Sequence, residues 1–204
     1  MSAKKRKSKS ELVFLPLGGV GEIGMNLYLY GIGPPRKRTW LMVDLGVTFA
    51  GPAEPGIDLI LPDTRFIEEE SSALAGILLT HAHEDHFGAV IPIWHRFKAP
   101  LYATPFTAGL LRAKLIEEGM EGEVPIKEIP SRAKLDIGPF NIELVNMAHS
   151  IPETNGILIR TEAGTVFHSS DWKIDNTPVV GAATDHKRLK EIGRDGLEIG
   201  RAHV

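Results

Sequence analysis

Four potential metal ligands, His81, His83, Asp85 and His86, fall within six residues in the run His81-Ala82-His83-Glu84-Asp85-His86. In an extended segment, side chains two positions apart share a side, so His81 and His83 can reach one ion. Asp85 and His86, at the turn into a helix, can address a second ion a few ångströms away. The chain has no cysteine, which removes thiolate zinc sites, disulfides and a cysteine nucleophile. Imidazole and carboxylate donors without thiolates suit zinc or manganese in a hydrolytic role, where two ions about 3.5 to 4 Å apart steady the attacking and leaving oxygens.

Such a cluster needs partners from elsewhere in the chain, and the ends of later strands offer them. His149 follows the apolar run 142–148, and Asp171 follows 166–170. A lone histidine there ordinarily completes a hydrogen bond, and a lone aspartate ordinarily caps or turns. The existing cluster is what makes them ligand candidates, with Asp171 placed to bridge two ions. Asp44, at the end of 39–43, is assigned a place behind the ligands, orienting an imidazole or the loop.

The elements that position these residues read as β, then α, then β. Strands are predicted at 11–17, 25–30 and 39–45, the first two around a glycine-rich turn, with a loop at 33–38. Residues 46–72 read as a long connection with little regular structure. A buried strand at 75–80 leads into a helix at 87–97 that tolerates Pro92 in its first turns. After a strand at 100–103, Thr104 and Pro105 predict the N-cap and first position of a helix running to Glu118 and stopping at Gly119. Its inward face is predicted to be Phe106, Leu110, Leu111 and Leu115. Strands follow at 124–129, 140–148, 156–160 and 165–168, with 133–139 as a turn. This order predicts a layered α/β (α+β) sandwich.

Composition narrows the class. The 204 residues, 43% of them hydrophobic, can fill one core. The net charge is −3, which argues against nucleic-acid binding by bulk charge. Residues 1–10 carry five of the 23 basic side chains and no acid, and are read as a disordered basic tail. No apolar run approaches the roughly 18 residues of a membrane span, and no cleavable leader is recognisable, so a soluble cytoplasmic protein is expected. The run Gly19-Val20-Gly21-Glu22-Ile23-Gly24 fits a dinucleotide fingerprint, but a strand rather than a helix is predicted to follow, so that site is rejected. His95 is read as surface, His168 as core or supporting, and Arg36, Lys37 and Arg38 as a solvated loop.

The pattern His81-x-His83-x-Asp85-His86 followed by Gly88, then His149 and Asp171, resembles the metallo-β-lactamase superfamily. More narrowly, the segments 16–26, 56–63, His149-Ser150-Ile151-Pro152 and Asp171-Trp172-Lys173-Ile174-Asp175 resemble the ribonuclease J family, over about residues 11 to 196. The resemblance implies an αββα four-layer sandwich with the metals at one edge of two sheets. It implies a first metal on His81, His83 and His149, and a second on Asp85 and His86, with Asp171 bridging; Asp85, His86 and Asp171 would carry the catalysis. A further family histidine, a β-CASP insertion and a C-terminal domain lie outside these 204 residues. Two zinc ions, or manganese, and a metal-bridging hydroxide attacking RNA phosphodiesters are implied, 5′ to 3′ exonucleolytic with some endonucleolytic cutting. Homodimers or tetramers and a place in an RNA-degradation complex are implied as well. Residues 11–196 are therefore expected to form a truncated metallo-β-lactamase domain. Arg194 departs from the family's usual acid, and 197–204 match nothing in it and are expected to be a non-family tail on a clipped gene fragment. Two rival readings are a metallo-β-lactamase-fold hydrolase of small esters, thioesters or lactams, and a non-catalytic RNA-binding subunit.

Overall fold

The computed structural model describes residues 10–201, with the side chains of 199–201 left aside. The basic segment 1–9 and residues 202–204, read above as tails, lie outside the described residues.

The chain opens with β1 (Glu11–Gly18), β2 (Leu27–Gly33) and β3 (Thr39–Val43), then a small pair, β4 (Thr48–Phe49) and β5 (Leu59–Ile60), and a short helix α1 (Arg65–Glu69). Next come β6 (Leu74–Leu78), α2 (Glu84–Phe87), α3 (Val90–Ile93), β7 (Leu101–Ala103), α4 (Pro105–Glu117) and β8 (Ile126–Glu128). The second half holds β9 (Lys134–Ile137), β10 (Phe140–Asn146), β11 (Asn155–Thr161), β12 (Gly164–His168), α5 (His186–Asp195) and β13 (Ile199–Arg201).

Two sheets result, ordered β1-β2-β3-β6-β7-β8 and β13-β12-β11-β10-β9. Alternation of side chains along the strands sorts their residues into three cores. Leu27, Leu29, Trp40 and Met42 face the helices with Phe87, Val90, Ile93, Leu111 and Leu115. Tyr28, Tyr30, Leu41 and Val43 face the other way, onto Phe140, Ile142, Leu144, Ile157 and Ile159 of the second sheet. Val145 and Leu158 on the outer face of that sheet pack with Leu189 and Ile192 of α5. Helix, sheet, sheet and helix are the four layers expected of the αββα sandwich. Each fully buried aliphatic or aromatic side chain contributes about 1.5 to 3 kcal/mol, so both faces of the central strands must be apolar.

Several local expectations change. The predicted helix at 87–97 starts earlier, at Glu84, and breaks into α2, α3 and a 3₁₀ turn at Trp94–Arg96. The reason is a diverted hydrogen bond: the Asp85 carbonyl accepts from Asn26 N at 2.9 Å, and Ala89 N turns instead to Leu45 O at 3.0 Å. Pro92 supplies no N–H to bridge the gap. Residues 133–139 are not only a turn, since β9 pairs with β10 across Gly138 and Pro139. Residues 46–72 hold β4, β5 and α1 within the predicted long connection.

Helix α4 keeps its predicted bounds, stopping before Gly119 at φ +69, but its buried face is Thr107, Ala108, Leu111 and Leu115. Small Thr107 and Ala108 let the helix lie close to the sheet, and this turns Leu110 outward to 37% exposure. Thr104 sits at the N-cap without capping through its side chain. Ile199–Arg201, assigned above to a tail, pair in parallel with β12. Among the described residues no helix is long and apolar enough to cross a membrane.

Helix α5 is held through a buried charge. Glu143 on β10, 4% exposed, accepts hydrogen bonds from Arg188 Nε at 2.6 Å and Nη2 at 3.0 Å, and from Arg160 at 3.1 Å. Burial works against its ionisation, yet these guanidiniums hold its carboxyl below the ordinary glutamate value. Glu143→Gln is expected to cost about 2 kcal/mol at neutral pH. Because the folded-state value is depressed, the wild-type advantage is complete above the unfolded value near 4.5 and disappears as pH falls through the folded one. Urea melts of both proteins at pH 7 and below pH 4 check this; a gap that persists in acid would contradict it.

Candidate metal centre

Every candidate ligand lies just beyond the end of a strand. Parallel pairing sets Val43 of β3 opposite Leu78 of β6, so Asp44 and the segment Thr80–His86 emerge at one edge. The strands β10 and β12 both run antiparallel to β11, and deliver His149 and Asp171 to that edge from the second sheet. His83 is extended, with φ −79 and ψ 147, so His81 and His83 project together and His81 Nε2 lies 3.0 Å from His83 Nδ1. One turn of helix, α2, then carries Asp85 and His86.

The structure brings the six residues together in two overlapping groups. The ligating atoms of His81, His83, His149 and Asp171 lie within 4.8 Å of one another, as do those of Asp85, His86 and Asp171. Asp171 belongs to both: Oδ2 is 3.4 Å from His149 Nε2 and Oδ1 is 3.5 Å from His86 Nε2. His168 and His95 stand apart. His168 is buried between the sheets with its Nδ1 3.0 Å from the Tyr30 hydroxyl, and His95 is exposed.

Behind the ligands, Asp44 is fully buried. Its Oδ1 accepts from Thr80 N at 2.8 Å, and its Oδ2 accepts from Thr80 Oγ1 at 2.9 Å and from His86 Nδ1 at 2.7 Å. The Thr80 hydroxyl spends its one proton on Asp44, so His81 Nδ1, 2.9 Å away, must donate to Thr80 Oγ1. This leaves His81 Nε2 bare. Donation from His86 Nδ1 likewise turns its Nε2 toward Asp85 and Asp171. One carboxylate thus sets the tautomers of two imidazoles.

Electrostatics separate the histidines. Burial, reinforced by repulsion from His86 and its neighbours, pushes His81 well below the usual imidazole value. Burial also lowers His83 and His149 despite nearby carboxylates. His86 goes the other way: burial opposes its charge, but Asp44 and Asp171 raise it to about 10. Burial raises Asp44 itself. Both shifts keep a proton on the Asp44–His86 line. Three neutral imidazoles beside two carboxylates are a nitrogen and oxygen donor set that fits divalent ions of the zinc and manganese type.

Asn26 and Tyr28 join the site without being among the ligand candidates that spacing picks out. Asn26 is buried, and its Nδ2 donates to Asp85 O at 3.0 Å and Asp85 Oδ2 at 3.2 Å and faces His86 Nε2 at 3.0 Å. The Tyr28 hydroxyl donates to Asn26 Oδ1 at 2.6 Å. The available signal was an asparagine between a glycine-rich turn and a strand. Gly46 completes the grip, because a Cβ there would lie 1.6 Å from Asp85 O. Asp44 at φ +62 and Ser170 at φ +55 hold left-handed backbone beside the ligands. Asp44→Asn tolerates that backbone and keeps an acceptor for Thr80 but loses the charge facing His86. It is expected to weaken zinc binding 10- to 100-fold, as read by chelator competition, with the far-UV circular dichroism unchanged.

A model of the beta-lactamase superfamily domain matches residues 39–186. Ribonuclease J of Sinorhizobium meliloti is 53% identical over 187 residues, covering 92% of this chain and 33% of that protein. Ribonuclease J of Helicobacter pylori is 37% identical over 191 residues, covering 93% and 27%. The chain therefore spans about a third of the length of these relatives or less. The solved metallo-beta-lactamase fold protein YhfI of Bacillus subtilis superposes with a TM-score of 0.56 at 16% identity, over 83% of this chain and 66% of that one. The chain belongs to the beta-lactamase superfamily, has its metallo-β-lactamase fold, and counts ribonuclease J proteins among its relatives.

Proposed function

We propose that this domain carries the hydrolytic centre of a metal-dependent ribonuclease that cleaves RNA phosphodiesters, acting 5′ to 3′ with some internal cutting. The reading rests above all on Asp171, whose two oxygens face two separate ligand groups. In it, His81, His83 and His149 hold one ion, Asp85 and His86 hold a second, and Asp171 is shared. Zinc or manganese fits these donors. When bound, the ions supply Lewis acidity that lowers the pKa of water toward neutrality and offsets phosphate charge. The chain's own part is to hold the ligands ready. Asp44 keeps a proton at His86 Nδ1, Thr80 keeps His81 Nε2 bare, and Asn26 fixes the Asp85 carboxylate.

The names of the curated relatives support RNA as substrate over small esters, thioesters or lactams. Six intact ligand candidates favour an active centre over a non-catalytic RNA-binding subunit. A cytoplasmic setting, a homodimer or tetramer, and membership of an RNA-degradation assembly complete the proposal.

The test uses 5′-monophosphorylated RNA, and ester and lactam substrates, with this chain alone and with the chain extended to its relatives' length. The extended protein is expected to cut RNA, to stop on chelation and to recover with zinc or manganese. Asp85→Ala with His86→Ala should lower cleavage by about 10³-fold or more while RNA binding stays within about threefold. Cleavage that survives the double substitution, or turnover of the small substrates alone, would overturn the reading.

A further inference from the structure

The N-terminus of α4 is capped from a distance. Thr104 occupies the N-cap position, but its hydroxyl faces the Thr107 hydroxyl at 3.5 Å and caps nothing. The N–H of Phe106, one of the helix's unpaired donors, is taken instead by Glu153 Oε2 at 2.9 Å, 47 residues further along the chain. Glu153 belongs to the loop that carries His149. That loop is closed by Met147 N donating to Thr154 O at 3.0 Å, by Thr154 Oγ1 on Ile151 O, and by Asn155 Nδ2 on the Glu153 carbonyl.

The position is strained. Glu153 has φ +58, where glycine would be at ease and a longer side chain is not. The side chain provides what glycine lacks, a carboxylate at the positive end of a 13-residue helix. The same helix reaches the other ligand segment through Lys114, whose Nζ pairs with Glu84 Oε1 at 2.5 Å. Asn155 N also donates to Thr80 O at 3.2 Å, beside His81.

We propose that Glu153 is a positioning residue: by capping α4 across the gap between the sheets, it clamps the His149 loop against the His81–His86 segment and sets His149 for the metal. This builds on the metal-centre reading above, and the test separates the two.

Amide hydrogen exchange is measured on metal-free protein, followed by zinc affinity by chelator competition, for wild type, Glu153→Gln and Glu153→Ala. Each Glu153 state is also made with His149→Ala. Glu153→Ala should speed exchange of 147–154 and the first turn of α4 about tenfold, and weaken zinc binding about tenfold. Glu153→Gln retains an acceptor oxygen and should recover both to within about threefold. In the His149→Ala background, Glu153→Ala should cost no further zinc affinity, because the effect passes through His149. Unchanged exchange at 147–154 in Glu153→Ala would overturn the clamp, as would an equal loss of affinity without His149. If wild type bound no zinc, the metal reading would fail, and the exchange arm would still decide the clamp.

Discussion

The centre depends on one buried contact, the 2.7 Å approach of Asp44 Oδ2 to His86 Nδ1. Neither partner has water to fall back on, since Asp44 is 0% and His86 1% exposed. A carboxylate in such a place is tolerated only if both its oxygens are hydrogen-bonded. Asp44 meets that condition through Thr80 N, Thr80 Oγ1 and His86 together. Because the Thr80 proton is committed to Asp44, the constraint passes on to His81. Ligand orientation on both sides of Asp171 is thus downstream of one side chain that touches neither His149 nor His83.

Holding that contact requires the sandwich. Asp44 leaves β3 with its N–H on Leu78 O at 3.0 Å, so β3 and β6 stay registered past the last paired residue. Leu45 N and Val47 N continue onto His86 O and Glu84 O, and make 44–47 a backbone splint along α2. Among the described residues the second sheet has no such run of backbone hydrogen bonds to this segment. It is registered by apolar packing of Tyr28, Tyr30 and Leu78 on Leu144 and Ile157, and by the Asn155 N bond to Thr80 O. His149 and Asp171 therefore owe their places to the inter-sheet core and to the hydrogen bonds of their own loops, such as Lys173 N on Ala148 O and Phe106 N on Glu153, whereas His81, Asp85 and His86 are held by the backbone bonds of 44–47.

That difference explains what could be read from the sequence. His81, His83, Asp85 and His86 form a local pattern, and their spacing is chemically meaningful wherever the strand lies. His149, Asp171 and Asp44 were legible because an apolar run ending in a lone His or Asp marks a strand terminus, and strand termini gather at a sheet edge. Asn26 and Glu153 were not legible, since their partners lie 59 and 47 residues away and are carbonyl or N–H groups that any residue type carries; Tyr28 matters only through the Asn26 side chain it holds. The break after α2 was hidden for the same reason: Asp85 O is claimed by Asn26, which no local propensity records. The buried face of α4 was misread because Leu110 looks more like core than Thr107 until the sheet's distance is known. Strand β9 was masked by Gly138 and Pro139, turn residues that end a strand as readily as they replace one.

Assembling this edge has an energetic consequence. Three imidazoles with nitrogens 3.0 to 3.2 Å apart, two of them only half-buried, stand beside the carboxylates of Asp85 and Asp171. Burial pushes His81, His83 and His149 toward the neutral form, in which each imidazole keeps one N–H and one bare lone pair. Such an arrangement gives little to stability and is carried by the three apolar cores. Binding a divalent ion then costs His81 no change of tautomer, whereas His86, raised to about 10, must give up its Nε2 proton. The protein thus spends folding energy on the ligand geometry in advance, and the chemistry an ion would bring meets a site that does not need to rearrange.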